Sequence, residues 1–463
     1  MSKQMNTSIK HTLVCAALFS ALGATTQAQA GDAKNVILFI GDGMGPTVLT
    51  ATRLFKVGEE GNLEIMKLPR SARIKTFSND AQTTDSAPSM AAYTTGVKMN
   101  NEVIAMSSDT LAVAPGKDAN GNKGINNCTA DNGKPAPTIL ELAKAAGKSV
   151  GAVTTTELTH ATPAATYSHI CHRDAAYAIA EQAVPGGAGF NTALGDGVDV
   201  LMGGGANHWT PYSASNKGGR ADGRDLTAEL AAQGYNYVTT QSELAKVSSG
   251  KVLGLFSTKS HLDYELDRVA KGDANTQPSL AEMTAKAIDL LSQNGQGYFL
   301  MVEGGRIDHA LHGTNAKRAL TDAVALDEAL KTALGKVDLN DTLVVVTADH
   351  DHTMTINGYS AKGNPVLDLV KSGDGSTQND VDGKPFTTLV FGNGPNRPDV
   401  RPTLTSDEVM GNDYLQETGV KLSSETHGGG DVMLFADGAG SSRFKGTLDN
   451  TKVFGKLREA LGL

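Results

Sequence analysis

The chain has 463 residues, with 50 acidic and 41 basic side chains and a formal net charge of -9. That acidic balance excludes a general electrostatic attraction for nucleic acid or anionic membrane surfaces. The roughly 430 residues left after the processing described next are enough to bury a large core.

In chain order, Lys3 and Lys10 precede the apolar run TLVCAALFSALGA, and AQA at 28 to 30 offers small residues to a signal peptidase. Residues 1–30 are therefore expected to be a secretory signal, which makes the mature protein periplasmic or secreted. The run is too short for a membrane span, and no later stretch approaches the roughly 20 apolar residues a span needs. Cys15 leaves with the signal, so Cys128 and Cys171 remain. In an oxidising compartment two cysteines suggest one disulfide, but their spacing does not show whether they meet.

From residue 35 onward, short β-branched runs alternate with alanine-rich helical stretches. The strand candidates are NVILFI at 35, KSVGAVTT at 148, VDVLMGG at 198, KVLGLF at 251, YFLMVE at 298 and TLVVVTAD at 342. Between them lie amphipathic segments such as PTILELAKAAG, SLAEMTAKAIDLLSQ and KRALTDAVALDEALKTAL. Continuous apolar strands separated by helices predict an α/β fold with a large, mostly parallel central sheet flanked by helices on both faces. Residues 31–463 are expected to form one large domain with insertions. Two stretches break the rhythm: about 97–136, rich in Asn, Gly and Asp, reads as a surface excursion. About 355–425, with FTTLVFG as its lone apolar run, reads as an insertion with little helix.

Ligands of such sheets gather where strands end, and four stretches put Asp, Glu or His at those ends. Asp42 sits in the turn of FIGDGMG. Glu303 closes YFLMVE, and Asp308 and His312 follow four residues apart, on one face of a helix. Asp349 and His350 follow TLVVVTA, with His352 supporting them or merely exposed. His427 lies in the glycine-rich approach SSETHGGGD. Mixed imidazole and carboxylate suit zinc, whereas an all-oxygen set suits magnesium. Seven such residues exceed what one ion can use, so a cluster is implied.

A further stretch, TTDSAPSMAAYTTG at 83 to 96, carries Ser86 at a helix start without the G-x-S-x-G surroundings of a hydrolase nucleophile. Read locally, Ser86 is an N-cap at a helix end that favours anions. A metal cluster supplies what the serine lacks, because a coordinated serine loses its proton without a histidine base.

These segments, together with VTTTELTHATPAATYSHICHR, resemble those of the alkaline phosphatase family, in that family's order from residue 36 to about 438. The resemblance implies hydrolysis of phosphate monoesters, with broad specificity and an alkaline optimum, through a phosphoserine on Ser86. It implies two Zn2+ and one Mg2+ per chain. Asp308, His312 and His427 would hold one zinc; Asp42, Asp349 and His350, with Ser86, the second; Asp42, Thr162 and Glu303 the magnesium. Arg173 would clamp two phosphate oxygens, a task that suits a planar guanidinium. Asp85, His160 and His309 would support these groups from behind. The implied partners are small phosphate monoesters and inorganic phosphate, with no nucleic-acid-binding module, and a homodimer through the crown-like insertion.

Three departures from the family pattern stand out. His160 and His309 stand where some bacterial members carry Asp and Lys, which leaves the third metal less defined than the zincs. Pro88 follows the nucleophile by two residues. Phe256-Ser257 replaces the Phe-Glu pair of the animal calcium site, so no calcium is carried over. Two rival readings are a phosphodiesterase, mutase or sulfatase of the same superfamily and, from another class, a secreted phosphate- or metal-binding protein without turnover. Diester rates above monoester rates would favour the first, and binding without turnover the second.

Overall fold

The computed structural model describes residues 32–463, so the expected signal at 1–30 lies outside the described residues. Ten strands form the central sheet: β1 Asn35–Gly41, β2 Arg70–Lys75, β3 Ser149–Glu157, β4 Val200–Gly204, β5 Asn236–Val238, β6 Val252–Leu255, β7 Tyr298–Gly304, β8 Thr342–Ala348, β9 Val432–Gly438 and β10 Gly446–Asp449. Their spatial order is β10-β2-β9-β8-β1-β7-β3-β4-β6-β5. Every neighbouring pair is parallel except the two that β9 makes with β8 and β2, so β9 alone runs against the rest.

The buried strands explain the uninterrupted apolar runs. β1, β7 and β8 lie side by side at the centre, and nearly all their residues are buried, because helices cover both faces. The helices Leu280–Leu291 and Ala316–Leu334 pack on each other on one side. The helices Ser86–Thr95, Ile139–Ala145, Ala161–Tyr167 and Thr451–Leu461 pack together as another group. One contiguous apolar cluster extends from Ala33 to Leu461. Among the described residues, no helix is long and apolar enough to cross a membrane.

The register places the chemistry. Ile40 pairs with Glu303, Gly41 with Ala348, and Thr154 with Glu303, so the carboxyl ends of β1, β3, β7 and β8 finish level with one another. Residues next to those pairings, such as Asp42 and Asp349, therefore emerge at one edge of the sheet.

The two irregular regions hold more strand than expected. The excursion at 97–136 contains the hairpin Gly116–Lys117 with Lys123–Ile125. A Cys128–Cys171 disulfide ties it to the segment carrying Arg173. In the insertion, the FTTLVFG run does not stand alone: Leu389–Gly394 pairs with Met354–Ile356 and with Thr418–Lys421. Those flanking strands are short and half exposed, so their sequences lack the apolar run that marks a central strand. Leu369, Leu404 and Val409 form a small core of their own there.

Candidate active site

The helix Ser86–Thr95 is buried along its whole length and is tied to the end of β8. Tyr93 donates its hydroxyl to the carbonyl of Ala348 at 2.8 Å, and Ser89 donates to that of Asp349 at 2.5 Å. Its cap is Asp85, whose side chain accepts the Ala87 N–H at 2.7 Å, so the expectation of Ser86 as N-cap is corrected. Ser86 is the first helical residue, and its hydroxyl is free of capping duty. Pro88 also finds its reason here. A cap takes its hydrogen bond from the second or third helical N–H, and proline removes the third. Asp85 is left with capacity for other partners: its Oδ2 accepts the Glu102 N–H, and its Oδ1 takes Arg173 Nη1 at 2.9 Å.

Arg173 is oriented from two sides. Besides Asp85, its Nη2 donates to His160 Nε2 at 3.0 Å. Burial and the neighbouring guanidinium hold His160 well below the usual histidine range, which keeps it a neutral acceptor. His309 turns its ring within 5.2 Å of the His160 ring and 4.2 Å of the His261 ring, with Nδ1 at 2.9 Å from Arg306 Nη1.

Three imidazoles converge on the serine side in a shared manner. His312 Nδ1 donates to the Glu425 carbonyl at 2.6 Å, His427 Nδ1 to that of Thr84 at 2.8 Å, and His350 Nδ1 faces that of Asp351 at 3.3 Å. A main-chain acceptor at Nδ1 fixes the tautomer and leaves Nε2 as a lone pair, which is how metal-ligating histidines are held. The free nitrogens face the carboxylates: His350 Nε2 lies 3.2 Å from Ser86 Oγ, 3.3 Å from Asp42 Oδ1 and 3.4 Å from Asp349 Oδ2. His312 Nε2 and His427 Nε2 lie 3.2 Å apart, and 3.3 and 3.4 Å from Asp308 Oδ1. Two lone pairs at that distance repel each other unless a proton or a cation lies between them.

The oxygen atoms make the same point. Both carboxylate oxygens of Asp42, Thr162 Oγ1, Glu303 Oε1 and Asp349 Oδ2 are buried without a hydrogen-bond partner, a cost that cation binding removes. Burial and the facing carboxylates of Asp349, Asp308 and Glu303 push Asp42 well above the usual aspartate range. Burial pushes Glu303 up to about 7, against hydrogen bonds from Thr154 and Thr156. Asp308 goes the other way: despite burial, the imidazoles of His312, His352 and His427 hold it well below 3.8.

Potential ligand atoms of Asp308, His312, His352 and His427 lie within 4.8 Å of one another, as do those of Asp42, Asp308 and His350, and those of Asp42, His160 and Glu303. All the residues expected for the two zincs except Asp349 fall in these groups; Asp349 Oδ2 lies 3.4 Å from His350 Nε2, and Thr162 neighbours Glu303. The donor set fits cations: imidazole-rich at one end, carboxylate and hydroxyl at the other.

His352 is more than an exposed bystander. Its ring is fully buried, with Nε2 at 2.8 Å from Asp308 Oδ1 and Nδ1 at 2.5 Å from Glu425 Oε2. Both nitrogens are engaged by carboxylates, so it supports Asp308 and leaves no nitrogen free to ligate. Burial pulls its pKa down, but those two hydrogen bonds outweigh it and hold it at about 10. Glu425, Thr154 and Thr156 escaped the sequence reading. A Glu two residues before a candidate ligand and a Thr-x-Thr pair ending a buried strand were the available signals.

Gly43 shows how closely the turn is built. Its φ is +66°, and a Cβ there would meet His352 Cδ2 at 2.3 Å. Its N–H donates to Asp349 Oδ1 at 3.0 Å, so the turn after β1 also orients a residue after β8.

The family model described as Alkaline phosphatase matches residues 33–463. The tissue-nonspecific isozyme of alkaline phosphatase from Gallus gallus is 39% identical over 439 residues, covering 88% of this chain and 80% of its own. The crystal structure of Thermus thermophilus alkaline phosphatase shares 26% identity at a TM-score of 0.69, covering 97% of this chain and 96% of its own. A TAB5 alkaline phosphatase mutant, described with Mg bound in its M3 site, shares 25% identity at a TM-score of 0.65, covering 94% and 99%.

Proposed function

The chain belongs to the alkaline phosphatase family and is a phosphomonoesterase, and from that premise we propose that it works through a phosphoserine on Ser86 at a site for two zinc ions and one magnesium ion. The observation that carries this reading is the convergence on Ser86 Oγ of a buried imidazole nitrogen, 3.2 Å away, beside Asp42 and Asp349 oxygens that lack hydrogen-bond donors. Asp308, His312 and His427 would hold one zinc, and Asp42, Asp349 and His350 the other. Asp42, Thr162 and Glu303 would hold the magnesium, their buried oxygens Asp42 Oδ1 and Oδ2, Thr162 Oγ1 and Glu303 Oε1 having no hydrogen-bond partner. When bound, the ions supply Lewis acidity that lowers the pKa of the serine hydroxyl and stabilises negative charge on the leaving oxygen.

The side chains do the rest. Arg173, held by Asp85 and His160, presents its guanidinium to two non-bridging oxygens of the substrate. Ser86 Oγ attacks phosphorus in line with the ester oxygen; the Oγ–P bond forms as the P–O bond to the alcohol breaks, and the alcohol leaves with a proton. Water then attacks the phosphoserine from the vacated side, which restores the Ser86 hydroxyl and releases inorganic phosphate. Two inversions give retention at phosphorus. Because the leaving group is met mainly at its bridging oxygen, broad specificity follows.

Two further readings accompany the first. Export to the periplasm or beyond is the reading that the basic and apolar sequence of residues 1–30 supports, and one curated relative, from Bombyx mori, is called membrane-bound. A homodimer through the insertion at 355–425 accords with the exposed Tyr359, Val381 and Val400 on that region, and light scattering would give its mass.

Ser86→Ala tests the mechanism. Turnover of an aryl phosphate should fall at least about 1,000-fold, and acid-quenched protein should carry no phosphate, while zinc binding persists. Turnover within tenfold of the parent would refute Ser86 as nucleophile.

A further inference from the structure

Glu425 lies outside the ligand sets above, yet it meets the imidazole end through both its side chain and its main chain. Its Oε1 accepts the N–H and the hydroxyl of Thr353 at 2.7 and 2.5 Å, and its Oε2 meets His352 Nδ1 at 2.5 Å. On the far side of that ring, Nε2 reaches Asp308 Oδ1 at 2.8 Å. The Glu425 carbonyl accepts His312 Nδ1–H at 2.6 Å, and its N–H donates to the His312 carbonyl at 2.9 Å. The side chains of Glu425 and His352 are fully buried, so water does not compete for these bonds.

We propose that Glu425 is a positioning residue that sets how tightly the site of Asp308, His312 and His427 holds zinc, an inference that rests on reading those three as zinc ligands. It acts along two lines. Through His352 it fixes the rotamer of Asp308, so that Oδ1 completes a triangle with the Nε2 atoms of His312 and His427, 3.3 and 3.4 Å away. Through its carbonyl it fixes the His312 tautomer, turning the lone pair of Nε2 inward. Thr353 closes the row by anchoring Glu425 from behind. Groups that orient metal ligands in this way change metal affinity by about 10- to 100-fold when removed.

The substitutions Glu425→Gln and Glu425→Ala separate the side-chain line from the main-chain line, because both keep the carbonyl that holds His312. Zinc affinity of the chelated, refilled enzyme is measured by competition with a chromophoric chelator, alongside kcat, KM and the melting temperature of the metal-free protein. Glu425→Ala should weaken the tighter zinc step by about 10-fold or more. Its activity should be lost at limiting zinc and recovered at saturating zinc, and its metal-free form should melt within a few degrees of the parent. Glu425→Gln, which retains one acceptor, should fall between the two, and it carries the test if the alanine variant does not fold. Affinity within about twofold of the parent in the variant that folds would overturn the proposal, as would a loss that excess zinc does not rescue. A parent enzyme that binds no zinc at all would instead sink the ligand reading beneath it, and is recognised before any variant is made.

Discussion

The two ends of the site are built from the same strand edges but balanced in opposite ways. At the imidazole end, three histidines surround one carboxylate, and Asp308 is held well below its ordinary range. At the oxygen end, Asp42 and Glu303 crowd with hydroxyls, and both are pushed up. At the first end Asp308 Oδ1 meets imidazole nitrogens, and it is the facing Nε2 atoms of His312 and His427 that call for a cation; at the second, buried carboxylate oxygens have no donor at all. The contrast teaches that fold and site are coupled unevenly, with the cost of assembly concentrated where carboxylates face one another.

Substitutions that sort the two ends put this contrast at risk. The largest effect is expected from Asp42→Ala, since Asp42 touches both ends: activity should fall at least about 100-fold, with loss of both zinc and magnesium by metal analysis. Loss of magnesium alone would place Asp42 at the oxygen end only. Next, Glu303→Gln should lower magnesium affinity by about 10- to 100-fold and leave zinc content unchanged. An equal loss of zinc would show that the ends are not separable.

The smallest effect is on stability. A carboxyl whose folded pKa is raised binds protons that the unfolded chain has released, so stability falls as pH rises between the two values. For Glu303 that window runs from 4.5 to about 7. Set against Glu303→Gln, the metal-free parent should therefore lose melting temperature across it, and saturating magnesium should reverse that difference. A melting-temperature advantage of the metal-free parent over Glu303→Gln that grows as pH rises through this range would contradict the assignment.

Much of this was legible in sequence because burial leaves a plain mark. β1, β7 and β8 are buried on both faces, so their runs are apolar, and the proposed ligands stand directly at their ends. β2 was illegible for the opposite reason: RSARIK alternates exposed and buried positions with charges, and it pairs only because β9 and β10 lie beside it. The two short strands of the insertion share that fate. Among site residues, the proposed ligands stand out by type, whereas the residues behind them do not. Glu425 and Thr154 are ordinary residue types whose roles come from pairings across 73 and 149 positions. His352 was left between support and exposure, since nothing local says that its ring is buried between two carboxylates. Pro88 needed the cap geometry of Asp85 to make sense.

The most direct test is to strip the purified enzyme with a chelator and return zinc and magnesium in measured amounts while following hydrolysis of a phosphate monoester. Activity should vanish on stripping and return in full at about two zinc and one magnesium per chain. Full activity in the stripped enzyme, or its full return at clearly fewer than two zinc per chain, would contradict the metal-activated serine.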